Sequence, residues 1–129
     1  MRTIPFFLII AWMLSGCKKE PGSGGLAQIT GTVIRQDINN ITGQPIGTPY
    51  PDPADHVYLS YGSHTYPDVD NKTGPNGVYN FSWLRTGDYT VYVYSRCITC
   101  PGGQQVISNA VHINGGSDVV TVPTMYINH

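Results

Sequence analysis

Residues 76–91 read NGVYNFSWLRTGDYTV, and the turn, strand and corner that they predict are the strongest indication of the fold. Asn76-Gly77 is a dipeptide that accepts positive φ and predicts a tight chain reversal. Tyr79 and Phe81 are two residues apart, so they share one face of the strand that follows the reversal. The stretch therefore predicts a β-strand with an aromatic inner face.

The second half of this stretch predicts a corner between two strands. Leu84 is placed to close the open end of a hydrophobic core before the chain turns. Gly87 permits a backbone conformation that a Cβ atom would obstruct. Tyr89 then fits a tyrosine corner, in which the ring packs inside and the hydroxyl bonds to nearby backbone.

The same period-two pattern, interrupted by turn residues, continues in both directions along the chain, and no window shows sustained helical periodicity. The connection over 37–55 carries four prolines and is predicted to be a long loop, because proline cannot pair in a central strand. The sequence predicts an all-β fold, a single seven-stranded Greek-key β-sandwich of the immunoglobulin or prealbumin type. The predicted strands are 28–35, 57–61, 63–66, 78–83, 89–96, 106–113 and 119–127.

The chain resembles the carboxypeptidase-regulatory-like domain, a transthyretin (prealbumin)-type β-sandwich. The resemblance is carried by Gly31-Thr32-Val33, by Val57-Tyr58-Leu59, and by the N-G-x-Y-x-F and L-x-x-G-x-Y patterns within 76–91. It spans about residues 28–127. It implies structural roles for Asn76, Gly77, Tyr79, Phe81, Leu84, Gly87 and Tyr89. It also implies a module that accompanies enzymes or receptors and does not itself catalyse a reaction.

The amino terminus predicts export and lipid attachment. Arg2 precedes a short apolar run over 4–14, which is typical of a secretory signal peptide and too short for a membrane-spanning helix. Leu14-Ser15-Gly16-Cys17 resembles the bacterial lipobox, which implies cleavage before Cys17 and acylation of its thiol. The predicted organisation is a signal peptide over 1–16, a lipidated Cys17 with a flexible tether over 17–25, and a sandwich domain over 26–129. The implied location is the bacterial cell envelope, at the outer membrane.

Composition excludes some classes of function. From Leu26 onward the chain has four basic and seven acidic residues and no basic stripe, which argues against nucleic-acid binding. The sequence contains no G-x-S-x-G, H-E-x-x-H or phosphate-binding glycine motif. We therefore expect a binding or structural module rather than an enzyme, with no cofactor, whose partners are the membrane and envelope proteins or glycans.

Cys97 and Cys100 form a C-x-x-C pair with three possible chemistries. Export favours a local disulfide, because the compartment is oxidising. A redox-active thiol would need a helix amino terminus to lower its pKa, and the Gly-rich and β-rich flanks predict none. A zinc site would need two further ligands, and the spacing of the histidines is not a ligand motif. The disulfide is the simplest interpretation, with thiol-redox and metal handling as alternatives.

Two further groups of side chains are candidates for binding. Asp68, Asp70 and Asn71, with Asn76 beyond them, offer oxygen ligands for calcium, but they lack the EF-hand spacing and are more typical of a solvated turn. A flat aromatic face able to stack on sugar rings or on a protein is the second candidate, since strand alternation points two of its tyrosines away from Tyr89. Its predicted members are Tyr58, Tyr61, Tyr66, Trp83, Tyr92 and Tyr94.

Lipidation at Cys17 gives a direct prediction. The mature protein should begin at Cys17 and partition into the detergent phase, because two or three acyl chains dominate its membrane affinity. Cys17→Ala should release the protein from membranes on fractionation. A Cys17→Ala protein that still sediments with membranes would contradict the assignment.

Overall fold

The computed structural model describes residues 20–129, which form two β-sheets packed face to face. The predicted signal peptide and the predicted lipidation site at Cys17 lie outside the described residues. The strands are β1 (Ser23–Ile38), β2 (Pro45–Pro51), β3 (His56–Tyr61), β4 (Val69–Lys72), β5 (Val78–Leu84), β6 (Gly87–Arg96), β7 (Gln104–Ile113), β8 (Val119–Thr121) and β9 (Met125–Asn128).

The first sheet is organised around β1, the longest strand, with 16 residues. The other four strands of this sheet all pair with β1. Strands β2 and β5 pair with it antiparallel, whereas β8 and β9 pair with it parallel. A single strand therefore holds this whole layer together.

The second sheet has the order β4-β3-β6-β7 and is antiparallel throughout. Tyr58 of β3 lies directly opposite Tyr92 of β6. All ten residues of β6 pair with β7 in one continuous register, from Gly87 opposite Ile113 to Arg96 opposite Gln104. This register fixes which side chains share the outer face of the sheet.

The core lies between the two sheets and is built from alternate residues of their strands. The first sheet contributes Ala27, Ile29 and Val33 from β1, together with the predicted inner residues Tyr79, Phe81 and Leu84 from β5. Opposite them, β3 and β6 contribute Val57, Leu59, Tyr89, Val91 and Val93, all at most 1 % exposed. The sequence-predicted all-β sandwich is confirmed at this level.

Two glycines explain parts of the sequence pattern. A Cβ atom at Gly31 would overlap the phenol ring of Tyr79, so the glycine of the opening G-x-V element leaves room for this buried ring. Gly77 has φ +74° and its Cβ would lie 2.6 Å from the carbonyl oxygen of Val33. The turn before β5 therefore requires glycine at this position.

The count of seven strands is wrong, because the described residues form nine. The predicted proline-rich loop contains β2, which tolerates its prolines as an edge strand of the first sheet. Pro123 interrupts the predicted last strand and divides it into β8 and β9. Residues 63–66 form a turn, and the neighbouring strand is β4 instead.

The folded domain begins earlier than predicted. The segment from Ser23 to Gly25, which the sequence predicts to be part of a flexible tether, forms the start of β1. Just before it, the buried Gly22 accepts a hydrogen bond from Arg85 N–H at 2.8 Å and donates its own N–H to the Tyr89 hydroxyl at 2.8 Å. The tyrosine corner therefore fixes the point where the chain enters the sandwich.

The described residues contain one short 3-10 turn, Pro101–Gly103, as their only helical element. Within residues 20–129 no helix is long and apolar enough to cross a bilayer.

Two buried tyrosines give a matched test of the corner. The Tyr89 hydroxyl also donates to the carbonyl of Arg85 at 2.7 Å, whereas the buried Tyr79 hydroxyl has no hydrogen-bond partner within residues 20–129. Tyr89→Phe should lower the free energy of unfolding by about 1–3 kcal/mol, because it leaves the buried Gly22 N–H unpaired. Tyr79→Phe should leave stability unchanged or raise it, because it removes an unsatisfied polar atom.

Urea unfolding followed by far-UV circular dichroism measures both variants under one condition. Equal unfolding midpoints for Tyr89→Phe and Tyr79→Phe would contradict the corner's role in tying down the amino-terminal segment.

Candidate functional site

The outer face of the second sheet carries a cluster of tyrosines. Strand alternation buries Tyr89, Val91 and Val93 of β6 and turns Tyr92 and Tyr94 outward, as predicted. Tyr58 of β3 points the same way, because it is paired with Tyr92 in the sheet register. We call Tyr58, Tyr92 and Tyr94 the tyrosine face.

The three rings of the tyrosine face contact one another. The centroids of Tyr58 and Tyr92 are 5.2 Å apart with the rings near parallel, at 22°. Tyr94 meets Tyr58 edge-on at 5.6 Å and Tyr92 edge-on at 6.0 Å. These are favourable aromatic geometries, so the cluster is pre-arranged. Tyr94 remains 46 % exposed and presents the most open ring.

A groove of about 460 Å³ lies against one edge of the tyrosine face. Tyr58 and Tyr94 are its aromatic lining residues, and most of the other lining residues are polar. This volume falls within the range of about 300–1,000 Å³ that is usual for small-molecule sites. The other lining residues are Asp55, His56, Ser95, Arg96, Gly102, Gly103, Gln104, Asn128 and His129.

A second hollow of about 280 Å³ lies on the other side of Tyr94. Tyr92, His64 and Thr65 line it, with Ser60, Thr90, Val106 and Ser108 completing its wall. Since Tyr94 lines both hollows, it forms a ridge between them. The two hollows together make one extended, shallow surface across the sheet.

The loop beside the second hollow is held in place by hydrogen bonds. Tyr61 N–H donates to Asp68 at 2.7 Å, and Ser60 Oγ donates to the carbonyl of Tyr66 at 2.7 Å. His64 lies 2.9 Å from the same Asp68 carboxylate and stacks on Tyr66 with a centroid distance of 4.7 Å. Desolvation acts to raise the Asp68 pKa, but these hydrogen bonds outweigh it and lower the pKa overall.

The Tyr58 and Tyr92 hydroxyl groups of the tyrosine face have a raised pKa, so they stay protonated. Desolvation raises the pKa of Tyr58 above its ordinary value, and nearby Asp70 raises it further. Desolvation raises the pKa of Tyr92 as well. A neutral phenol both donates and accepts a hydrogen bond. The face can therefore engage an uncharged, hydroxyl-rich ligand without a change of protonation.

Three of the aromatic residues predicted for this face lie elsewhere. Tyr61 points toward the core and packs edge-on against Tyr89 at 5.8 Å. Trp83, 67 % exposed, belongs to β5 of the first sheet. Tyr66 lies on the loop beside the second hollow and stacks on His64. Alternation gives the side of a strand on which a residue lies, but it does not say which sheet the strand joins.

Sequence reasoning missed the polar wall of the groove. Arg96 and Gln104 are opposite each other in the β6–β7 register, and Asn128 approaches from β9 of the other sheet. Strand alternation places Arg96 on the same outward side of β6 as Tyr92 and Tyr94, so the sequence could have identified it as a lining residue. The approach of β9 depends on the packing of the two sheets, which no local pattern in the sequence encodes.

Cys97 and Cys100 lie in the connection between β6 and β7, and the structure joins their sulfur atoms. Their Cα atoms are 5.3 Å apart, a separation that suits a disulfide. Cys97 N–H also donates to the carbonyl of Gly103 at 2.9 Å. The bridged turn shapes the groove, since Gly102 and Gly103 line it, and it does not link the two sheets.

The acidic turn is divided among separate partners. Asp68 bonds to His64, whereas Asp70 lies 2.8 Å from His56. The Asn71 side chain donates to the carbonyl of Asn80, and the Asn76 side chain accepts from Val78 N–H. Among residues 20–129 no three ligating side chains of the His, Cys, Asp or Glu type are grouped to hold a metal ion.

The disulfide gives a prediction about redox state and stability. Protein purified without reductant should have both thiols blocked and no bound zinc. Cys97→Ser with Cys100→Ser should still fold, with its free energy of unfolding lowered by about 1–2 kcal/mol because the closed loop is so short. Thiol titration, elemental analysis and urea unfolding measure the three outcomes. Reactive thiols in protein purified without reductant would overturn the disulfide assignment.

Comparison with known proteins gives no family assignment. No family model and no curated protein matches the chain. A solved structure of a candidate carbohydrate-binding protein from Pseudomonas aeruginosa is similar over 84 % of this chain and 91 % of that chain, with 12 % sequence identity and a TM-score of 0.45. A likeness of this size carries no inference about function.

Proposed function

We propose that this chain is a lipid-anchored lipoprotein of the bacterial envelope whose sandwich is a non-catalytic binding module of the prealbumin-like type. We further propose that the tyrosine face and its groove bind glycans. The observation that carries the proposal is the contact among Tyr58, Tyr92 and Tyr94 on an outer sheet face, beside a groove lined by Tyr58, Tyr94 and polar residues.

The chemistry of the groove suits sugars. One side of a pyranose ring presents C–H groups, which pack on an aromatic ring face, while its hydroxyls point outward from the ring edge. Tyr94 offers an accessible ring, and Arg96, Gln104 and Asn128 offer hydrogen-bonding groups across the groove. An apolar wall facing a few polar groups is the usual composition of a small-ligand site.

The anchor and the sandwich are close together in the chain. Gly22 lies five residues after Cys17 in the chain, and its backbone is bonded to the tyrosine corner. Five residues span at most about 18 Å when fully extended. A lipid on Cys17 therefore holds the sandwich at the membrane surface, where it would meet envelope glycans.

The prealbumin-like assignment is supported by how the motif residues act. Gly31 admits the Tyr79 ring, Leu84 is buried at the end of β5, and the Tyr89 hydroxyl bonds to the backbone four residues upstream. The absence of nucleophile, zinc-protease and phosphate-loop motifs from the sequence supports a binding role without catalysis.

Affinity electrophoresis through gels containing neutral and acidic soluble polysaccharides tests the binding proposal. The protein should be retarded by at least one polysaccharide. Tyr94→Ala should weaken that retardation about tenfold, because losing aromatic packing of about 1.4 kcal/mol corresponds to one decade of affinity.

Tyr126→Ala is the matched control, because Tyr126 is an exposed tyrosine, 68 % accessible, on β9 of the other sheet. It should bind like the unaltered protein. The proposal would be contradicted if no polysaccharide retarded the protein, or if Tyr94→Ala and Tyr126→Ala reduced the retardation equally.

A further inference from the structure

The outer face of the first sheet carries exposed apolar side chains at one end of the domain. Leu26, Trp83 and Val119 have 65 %, 67 % and 62 % of their surface exposed. Leu26 precedes the buried Ala27, and Val119 precedes Val120, which packs against the core. Since neighbouring residues of a strand point to opposite faces, Leu26 and Val119 point away from the core. We call Leu26, Trp83 and Val119 the apolar patch.

A β-bulge turns Trp83 to the same outer face. From Leu84 to Phe81 the pairing advances three residues along β5 but only two along β1, so Ser82 and Trp83 together oppose Gln28. Both bulge residues are exposed, between two buried neighbours. Trp83 adopts φ +60°, which is a genuine outlier for a bulky side chain. Strained backbone of this kind clusters at functional sites. Packing in the core does not explain it here, because the indole ring lies in solvent.

The strand register brings the three side chains of the apolar patch together. On its other side Gln28 pairs with Val119 of β8, so Trp83, Gln28 and Val119 form one row across three strands. Two strand spacings, about 10 Å, separate the backbones of Trp83 and Val119. Leu26 lies two residues before Gln28 on the same face of β1. These four side chains carry no charge, and the neighbouring Asp118 carboxylate is bonded to the backbone of its own turn.

The apolar patch lies at the end of the domain where the chain enters the sandwich. Arg85, two residues after Trp83, donates its N–H to the carbonyl of Gly22 at 2.8 Å. Leu26 follows Gly22 by four residues. The described chain begins at position 20, three residues after the predicted lipid on Cys17. The nine residues from Cys17 to Leu26 span at most about 32 Å, so an anchored lipid keeps the patch within reach of the bilayer.

We propose that the apolar patch inserts into the interfacial layer of the bilayer that holds Cys17. This inference rests on the proposed lipid anchor. Tryptophan is enriched in this layer, because its ring is apolar while its indole N–H can bond to water or headgroups. Leu26 and Val119 add apolar area on both sides of the row. The anchor raises the local concentration of the patch at the bilayer, so a small patch is sufficient for insertion.

Insertion would fix the orientation of the whole domain. The core lies between the two sheets, so the outer face of the first sheet and the tyrosine face of the second sheet are on opposite sides of the sandwich. A first sheet that rests on the membrane therefore directs the tyrosine face away from it. The groove beside Tyr94 would stay open to a polymer outside the bilayer.

Fluorescence quenching of Trp83 in the full-length protein tests the insertion. The chain has two tryptophans, so a Trp12→Phe background leaves Trp83 as the only one. This protein is purified from membranes and reconstituted into vesicles of phosphatidylethanolamine and phosphatidylglycerol, with and without bromine on the acyl chains. Bromine quenches only indole rings that reach the lipid, so the brominated vesicles should reduce the Trp83 emission several-fold.

Two variants in the same background locate the contact. Leu26→Ser combined with Val119→Ser should lose most of the quenching, because it removes the apolar neighbours of Trp83. Tyr126→Ser is the matched control, since Tyr126 is exposed on the same outer face. Tyr126 pairs with Ile34, eight residues and about 26 Å along β1 from Leu26. It should be quenched like the unaltered protein, and circular dichroism checks that both variants are folded.

Flotation of the vesicles in a density gradient separates the anchor from the insertion. Protein that floats while Trp83 escapes the bromine would overturn the insertion and leave the anchor in place. Shielding of Trp83 from aqueous acrylamide without quenching by bromine would also overturn it, because another protein or a second copy then covers the patch. Equal quenching in the double serine variant has the same meaning. Protein that does not float would contradict the anchor and the insertion together.

Discussion

The hydrogen bonding of four strands to β1 is the interaction that organises this structure. Every other strand of the first sheet bonds to β1, so that sheet has no integrity without it. The amino-terminal end of β1 is fixed by Gly22, whose backbone bonds to Arg85 and Tyr89 of the β5–β6 corner. This corner also orients β6, the strand that carries Tyr92 and Tyr94. One set of buried hydrogen bonds therefore links the entry point of the chain to the proposed binding face.

Much of this architecture follows from local sequence patterns, because burial imposes a period of two on each strand. The buried positions of Tyr79, Phe81 and Tyr89, and the outward direction of Tyr92 and Tyr94, are all predictable in this way. The polar strand β4 is not, because a short edge strand buries too little to leave a hydrophobic pattern. The placement of Trp83 away from the site depends on how strands associate, which is a property of the whole chain. Tyr61 differs, because alternation within β3 already turns it to the side opposite Tyr58.

The inner face of β6 contributes to the core, and its outer face carries residues of the proposed binding site. Its inner residues Tyr89, Val91 and Val93 are buried, and their replacement would create cavities. Its outer residues Tyr92 and Tyr94 pack on each other and on Tyr58 at the sheet surface, so they can serve a ligand at little cost to the fold.

The central claim is that the tyrosine face receives a sugar polymer, and tyrosine ring resonances report on this directly. Spectra of selectively ring-labelled protein, titrated with oligosaccharides of the polysaccharide that retards it, should shift the signals of Tyr58, Tyr92 and Tyr94 together. The signals of buried Tyr89 and of exposed Tyr126 on the opposite sheet should stay in place. Shifts confined to Tyr126, or a saturating titration that leaves all three face tyrosines unmoved, would contradict the account.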